Sequence, residues 1–482
     1  MEKQVSIKKN YIYNLLYQIL TLIVPLITAP YISRIFEADG VGIQSYTNSI
    51  VAYFTLFAAL GTGAYGQREI AMNREDGQKV SKLFWEIEFV SIITTGIATL
   101  AWIGIILFSS DYTIYYVVLT ISIVAVAFDI SWFFSGLEMF KYIVLRNAIF
   151  KTIGVLILFI VVREKNDLLL YMGLLAGTGL LGNLSMWTYL PKFLKKTDFK
   201  SLNISCHFKS CITYFIPTIA TSIYTVMDKT MIGVITNEKE NGFYEQATKI
   251  IRIVQSILLS LNTVMTSRMS FLFAQNKQKE IKDKILQSFD FLLFLSIPFM
   301  FGMIAIANGF VPWFYGEGYE KTADIMCFLS PLPLVICISN VLGSQYLTPS
   351  GQRVRSSKGI IAGACVNFLC NLFLIPRFAA IGAAIASVIA ETVISIIYVY
   401  MSKGYITWKN LWHLSWKRFL AGFTMMILTY KIGTFMKVSI VATLIQIICG
   451  ALIYGLLLMI LRDQFERNYL IIIREKCTGK SK

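Results

Sequence analysis

Charge is scarce in this chain. Only 15% of its 482 residues are Asp, Glu, Lys or Arg, where a soluble domain carries about a quarter. There are two histidines, His207 and His413, which read as loop residues too isolated to make a site. The eight cysteines form no CxxC and no metal-ligand spacing. Most of them (Cys327, Cys337, Cys365, Cys370, Cys449) lie in or beside apolar stretches and read as small packing residues. No glycine-rich nucleotide loop, metal cluster or nucleophile constellation is visible, and no sizeable polar loop carries acid–base groups. These absences speak against an enzyme, a polymerase or ligase included.

Apolar sequence is what the chain has in excess. It is 56% hydrophobic, with runs of 20 or more residues recurring along its length, and about 20 apolar residues span a bilayer. Fourteen spans are expected: 10–33, 41–64, 83–107, 112–136, 142–162, 167–190, 210–235, 242–267, 285–308, 322–347, 359–375, 379–401, 418–436 and 439–461. The basic N-terminus precedes an apolar run too long for a signal sequence and reads as a retained helix. Fourteen spans put both termini on one side. The tails and the loops on that side hold 33 of the 44 Lys and Arg residues, against eight on the opposite side. This bias predicts that both termini are cytoplasmic. It also spreads the net charge of +16 over short segments, which leaves no nucleic-acid patch.

The chain repeats weakly at an offset of 200. Gly42-Ile43 matches Gly242-Phe243, and Arg68 matches Arg268. The spans then divide as six, six and two, over residues 1–200, 201–402 and 403–482. The expected fold is an all-α polytopic membrane protein: two six-helix lobes related by a pseudo-twofold along the membrane normal, plus two C-terminal helices. Such repeats commonly hold substrate at their interface.

Charges inside the spans are few and clustered. IYTVMDKTMIGVI (Ile223–Ile235) holds Asp228 and Lys229. Span 8 holds Glu245, Lys249 and Arg252 on one helical face, continued by Ser256 and Thr263. Spans 1 and 2 carry polar stripes, Asn10, Asn14, Gln18, Thr21 and Thr28, then Gln44, Asn48 and Thr55. A charge at the bilayer centre costs roughly 2.5–3.5 kcal/mol, so these groups should face the bundle interior or a wet cavity. Through the repeat, Thr28, Ala29, Ser45, Ser49 and Ala52 match Asp228, Lys229, Glu245, Lys249 and Arg252. Charge is therefore not needed for packing there. Two readings stay open: an ion-pair cluster fixing the hairpin, and a site for an anionic group. Further candidates are Glu86 and Glu88 in span 3, Asp129 and Lys151 as a pair, and Glu391 as an ion site in span 12. Pro25, Pro30, Pro217, Pro298, Pro331 and Pro333 predict kinks.

Three stretches resemble the Wzx-type oligosaccharide flippases of the multidrug/oligosaccharidyl-lipid/polysaccharide superfamily. They are PYISRIFEADGVGIQSYTN (Pro30–Asn48), GAYGQREIA (Gly63–Ala71) and Leu347–Glu391, with its paired Asn367 and Asn371, Ile375-Pro376 and Gly382–Ala384. MDKTMIG (Met227–Gly233) adds to them. One departure is Arg377-Phe-Ala-Ala380, where the family has a glycine after the Ile-Pro turn, which bears on turn geometry. The resemblance implies a MATE-like fold and a polyprenyl-diphosphate-linked oligosaccharide, moved from the cytoplasmic to the outer leaflet of the bacterial plasma membrane by alternating access. On that expectation Lys229, Lys249 and Arg252 hold the diphosphate, Asn14 and Asn48 meet sugar hydroxyls, and Arg34 assists release. Asp228, Glu245 or Glu391 would couple transport to a proton or sodium gradient, with no cofactor. Polysaccharide polymerase and glycosyltransferases of the same pathway are the implied partners. A cation or drug efflux pump and a peptidoglycan-precursor flippase are the competing readings.

Overall fold

A computed structural model describes residues 7–402, 404–463 and Phe465. For residues 7–17, Pro217, Ala220, Thr221, Ile223, Tyr224 and 261–264 it describes the backbone alone. Sixteen α-helices run along these residues: α1 (Ile7–Ala59), α2 (Thr62–Asn73), α3 (Gly77–Phe108), α4 (Thr113–Val124), α5 (Ser131–Gly136), α6 (Phe140–Val161), α7 (Leu168–Trp187), α8 (Ser205–Ile235), α9 (Glu238–Ala274), α10 (Gln278–Tyr315), α11 (Glu320–Leu329), α12 (Leu332–Asn340), α13 (Arg353–Phe378), α14 (Ala380–Met401), α15 (Trp408–Thr434) and α16 (Ile440–Ile460). All-helical structure is what the apolar runs demand, because backbone groups in lipid must bond within their own segment.

Among the described residues, ten helices are long and apolar enough to cross a membrane, Gln18–Asn73 counted once. The other expected spans fall on the second limb of α1 and on α8, α9 and α15. α1 supplies two spans because it bends at Glu37, where φ is 54° and ψ is −172°. The equivalent turn of the repeat lies at Thr236-Asn237, between α8 and α9, so the offset of 200 is kept in the backbone. There Asn237 is extended and its side chain caps α9 by accepting from the Glu240 amide at 3.0 Å. Of the six prolines, Pro25, Pro30 and Pro298 are carried inside continuous helices. The break predicted at Pro331 and Pro333 separates α11 from α12, and α12 runs on into a π-helical stretch, Val341–Leu347.

By internal contacts the chain divides into Met1–Gly233 and Val234–Lys482. The N-terminal unit is built on two apolar clusters. One gathers Phe36, Trp102, Ile123 and Val162, the other Phe84, Trp132, Phe133 and Phe134. Its fourth span is broken: α4 passes into a 3-10 turn, Ala125–Phe128, then into extended backbone at Asp129. α8 joins this unit by close backbone approach. A Cβ on Gly61 would stand 2.7 Å from the Cys211 carbonyl, and one on Gly233 would overlap the Tyr46 ring. The C-terminal unit packs around α10, whose Ile285, Phe289, Leu292 and Ile297 are buried. Large apolar side chains left outside both units, such as Leu100 and Leu107 on α3 and Ile448 and Leu452 on α16, make the lipid-facing surface.

One buried ion cluster ties the last hairpin to the C-terminal unit. Arg418 on α15 is 1% exposed. Its guanidinium donates to Asp463 at 3.0 and 3.2 Å, to the Asp290 carbonyl at 2.7 Å and to the Asp290 carboxylate at 2.5 Å. The rings of Phe294 and Phe465 lie 5.9 and 5.8 Å away. Counted with the loop charges in the sequence, Arg418 is instead a core residue. Arg418→Ala would strand two carboxylates and is expected to cost about 3–5 kcal/mol. Thermal unfolding in detergent measures this, and Arg418→Lys should fall between, because the planar fork is lost.

The missing family glycine now has a location. Ala379, between α13 and α14, holds φ 50° and ψ −130°, a conformation suited to glycine. Ala379→Gly is expected to stabilise the protein by about 1 kcal/mol, read as a raised melting temperature. An unchanged or lower one would show the turn to be unstrained.

Candidate functional site

The intramembrane charges divide between the two units. Asp228 and Lys229, on α8, belong to the N-terminal unit. Asp228 is 6% exposed and acts electrostatically on Tyr53 of α1. Two residues along α8, Thr230 donates to Ser49 at 2.9 Å and meets the Tyr53 hydroxyl at 3.1 Å. This hydroxyl chain holds α8 to the second limb of α1. Beside it lies a cavity of about 250 Å³ lined by Ala52, Tyr53, Thr55, Leu56, Ser222, Thr225 and Val226. Thr55, one of the span-2 stripe, lines this space. Asn48 is half-buried on the same limb. Arg34 is exposed and donates to the Pro30 carbonyl at 3.0 Å. The side chains of Asn10, Asn14 and Thr263 lie outside the described residues.

Glu245, Lys249 and Arg252 lie on α9 in the C-terminal unit. Glu245 and Lys249 are half-buried, and their charged groups stand 3.8 Å apart. Arg252, one turn on, is exposed. The helix is fixed beside them: Tyr315 of α10 donates to the Gln246 carbonyl at 2.8 Å, and Tyr244 meets Ser387 of α14 at 3.2 Å. At the start of α9, Glu240 pairs with Lys321 at 2.5 Å and accepts from the Ala380 amide at 3.2 Å. Three helices are thus pinned at one end. Glu391, on α14, is 8% exposed and accepts from Ser339 at 3.3 Å. Asn371 donates to Asn367 at 3.1 Å, both fully buried.

Two polar clusters in the N-terminal unit were not legible as such. His207 is not a loop residue. It lies in α8, 5% exposed, with Nε2 3.0 Å from Glu86 and Nδ1 2.8 Å from the Tyr65 hydroxyl. The other Glu86 oxygen accepts from the Asn203 amide at 2.7 Å. The second cluster surrounds the broken span. Asp129 pairs with Arg146 at 3.8 Å, and so does not take Lys151 as its partner. Arg146 donates to Asn183 at 3.0 Å, and Asn183 donates to the Ala125 carbonyl at 2.7 Å. Asp129 also accepts from the Ser131 amide at 3.0 Å, starting α5. That helix-start signal, Asp two residues before Ser within an apolar run, was available in the sequence. For His207 no local signal existed.

The His207 cluster allows a direct test. His207→Ala leaves the buried Glu86 and Tyr65 groups short of a partner and is expected to cost about 1–3 kcal/mol. Tyr65→Phe, which removes one neutral hydrogen bond, should cost about 0.5–1.5 kcal/mol. Equal losses in thermal unfolding would show that Glu86 gains nothing from the imidazole.

Comparison with known proteins agrees with this architecture. Residues 7–273 match the model of the polysaccharide biosynthesis protein family. A putative O-antigen transporter of Escherichia coli K12 is 23% identical over 397 residues, 81% of this chain and 95% of that protein. A probable low-salt glycan biosynthesis flippase of Haloferax volcanii is 21% identical over 220 residues, 45% of each chain. Among solved structures, the lipid II flippase MurJ in an inward closed conformation superposes with a TM-score of 0.74 at 19% identity, covering 96% of this chain and 99% of that one. An inward-facing MATE family multidrug transporter gives 0.61 at 12% identity, covering 82% and 98%. At these identities the two structures speak for the fold.

Proposed function

The chain belongs to the polysaccharide biosynthesis protein family, and on that premise we propose that it moves a polyprenyl-diphosphate-linked oligosaccharide repeat unit from the cytoplasmic to the outer leaflet by alternating access. The observation that carries the reading is the family match over residues 7–273. That stretch holds all five charges of spans 7 and 8. The chemistry is consistent with it. A diphosphate carries charge that lipid tails do not solvate, and cationic side chains offer it charge-assisted hydrogen bonds.

Lys249 and Arg252, on α9, and Lys229 on α8 are assigned to the diphosphate. Asn14 and Asn48 are assigned to sugar hydroxyls, with Thr55 beside the neighbouring cavity. Arg34, exposed at the end of the first limb of α1, is assigned to release. Asp228, Glu245 or Glu391 would couple the cycle to a proton or sodium gradient. Two buried carboxylates, Asp228 and Glu391, support that assignment, since charge inside a membrane bundle tends to mark ion pathways. The positive-inside bias supports a plasma-membrane protein with both termini cytoplasmic. Glycosyltransferases and a polymerase would supply and consume the lipid-linked unit.

Deleting the gene and following two pools tests the reading. Surface polysaccharide should fall, and lipid-linked repeat unit should accumulate in the cytoplasmic leaflet. Complementation with Arg252→Ala or Lys249→Ala should restore export at a rate about tenfold or more below wild type, the scale of one lost charged hydrogen bond. Normal polysaccharide with new drug sensitivity would point to efflux instead. Loss of viability with arrested peptidoglycan would point to the peptidoglycan precursor.

A further inference from the structure

α3 carries a row of buried polar groups that the transport reading leaves unused. Glu88, Ser91 and Thr95 recur at helical spacing and share one face. Glu88 is 0% exposed, Ser91 3% and Thr95 4%. Among the described residues, neither carboxyl oxygen of Glu88 has a hydrogen-bond partner, and nor does Oγ1 of Thr95. The same face continues to Trp102, whose Nε1 donates to the Tyr116 carbonyl and to Thr120 of α4, each at 3.2 Å. That contact points the face at the fourth span. Counting back along α3 and forward along the fourth span brings Thr95 level with the 3-10 turn Ala125–Phe128, and Glu88 level with Asp129 and the start of α5. Asp129 acts electrostatically on Glu88. The groups without partners therefore line the break.

A broken membrane helix exposes polar backbone that something must satisfy. α7 answers from one side: Asn183 takes the Ala125 carbonyl at 2.7 Å, and the Trp187 indole takes the Phe128 carbonyl at 3.0 Å. Glu88 stands on the other side. As a carboxylate it can only accept; as an acid it can donate to a carbonyl. A buried carboxylate with no donor costs far more than the neutral acid. The surrounding charges do not change this. Asp129, on the break, has the same sign, and the cation beside it, Arg146 of α6, is turned to Asp129, Asn147 and Asn183. Glu86, with Lys82, Tyr65 of α2 and His207 of α8, is two residues from Glu88 on the opposite face of α3.

We infer that Glu88 is a proton-binding site, holding its proton against the broken fourth span and exchanging it during the transport cycle. The binding stands on this geometry; that it accompanies transport rests on the reading above. Infrared difference spectroscopy of the full chain in nanodiscs, at neutral pH in sodium-free buffer, tests it. A protonated-carboxyl C=O band should vanish in Glu88→Gln, which keeps the side chain's size, and should shift without vanishing in Glu88→Asp. A carboxyl spectrum left unchanged by Glu88→Gln overturns the inference. So does a band that sodium converts to a carboxylate signal, which would make this a cation site. If the band behaves as expected while the deletion strain keeps its polysaccharide, the proton site stands and the transport reading falls.

Discussion

In a bilayer core every backbone amide and carbonyl has to find its partner inside the protein, and the places where a helix stops are where this fold is decided. Side chains from distant segments take the carbonyls that the ladders leave over. Thr94 of α3 donates to Ala58 near the end of α1 at 2.5 Å, and Tyr31 donates to Val162 at the end of α6 at 2.6 Å. Asn183 and Trp187 do the same at the broken fourth span. Each such bond satisfies a stranded acceptor and also fixes one helix against another. The apolar surfaces alone give little orientation, because a Leu facing lipid and a Leu facing a neighbouring helix differ little in free energy. Hydrogen bonds to helix ends therefore set the register within each unit.

Buried charges obey the same constraint with larger stakes. Arg418 is held by two carboxylates, a carbonyl and two rings, and nothing about it suggests exchange with a ligand. The Glu240–Lys321 pair pins helix ends in the same way. Glu245 and Lys249 differ. Their 3.8 Å separation is longer than a charge-assisted hydrogen bond of about 2.7–2.9 Å, both are half-buried, and Arg252 beyond them is exposed. Of the two readings the sequence left open, a tight structural cluster would resemble Arg418. The α9 face is less deeply buried than Arg418.

Periodicity and loop charge made the spans and the hairpin turns legible, down to the repeat offset that puts turns at Glu37 and at Thr236-Asn237. The residues that would carry a function were readable only where they clustered locally, as on α9. His207 with Glu86 and Tyr65, and Arg418 with Asp290 and Asp463, join positions 45 to 142 residues apart, and no window of sequence holds both partners. The broken fourth span was hidden for another reason. Its hydropathy is as high as that of an intact span, and only the charge of Asp129 marks the interruption. The Ala379 turn is a middle case: the departure from the family's glycine was visible, but its consequence, a strained φ, needed the backbone.

The repeat sharpens the argument about charge. In the first hairpin the positions equivalent to Glu245 and Lys249 are Ser45 and Ser49, 5% and 3% exposed, and Ser49 is used to hold α8 through Thr230. Small residues there let two helices close on each other. In the second hairpin the same positions carry charge, and α9 is held beside them by Tyr244 and by the Tyr315 bond to Gln246. The scaffold thus solves the packing of one hairpin motif twice, by different contacts. In the second, Glu245 and Lys249 are half-buried and Arg252 is exposed. Charge is costly in this medium, and the first hairpin shows that the motif packs without it.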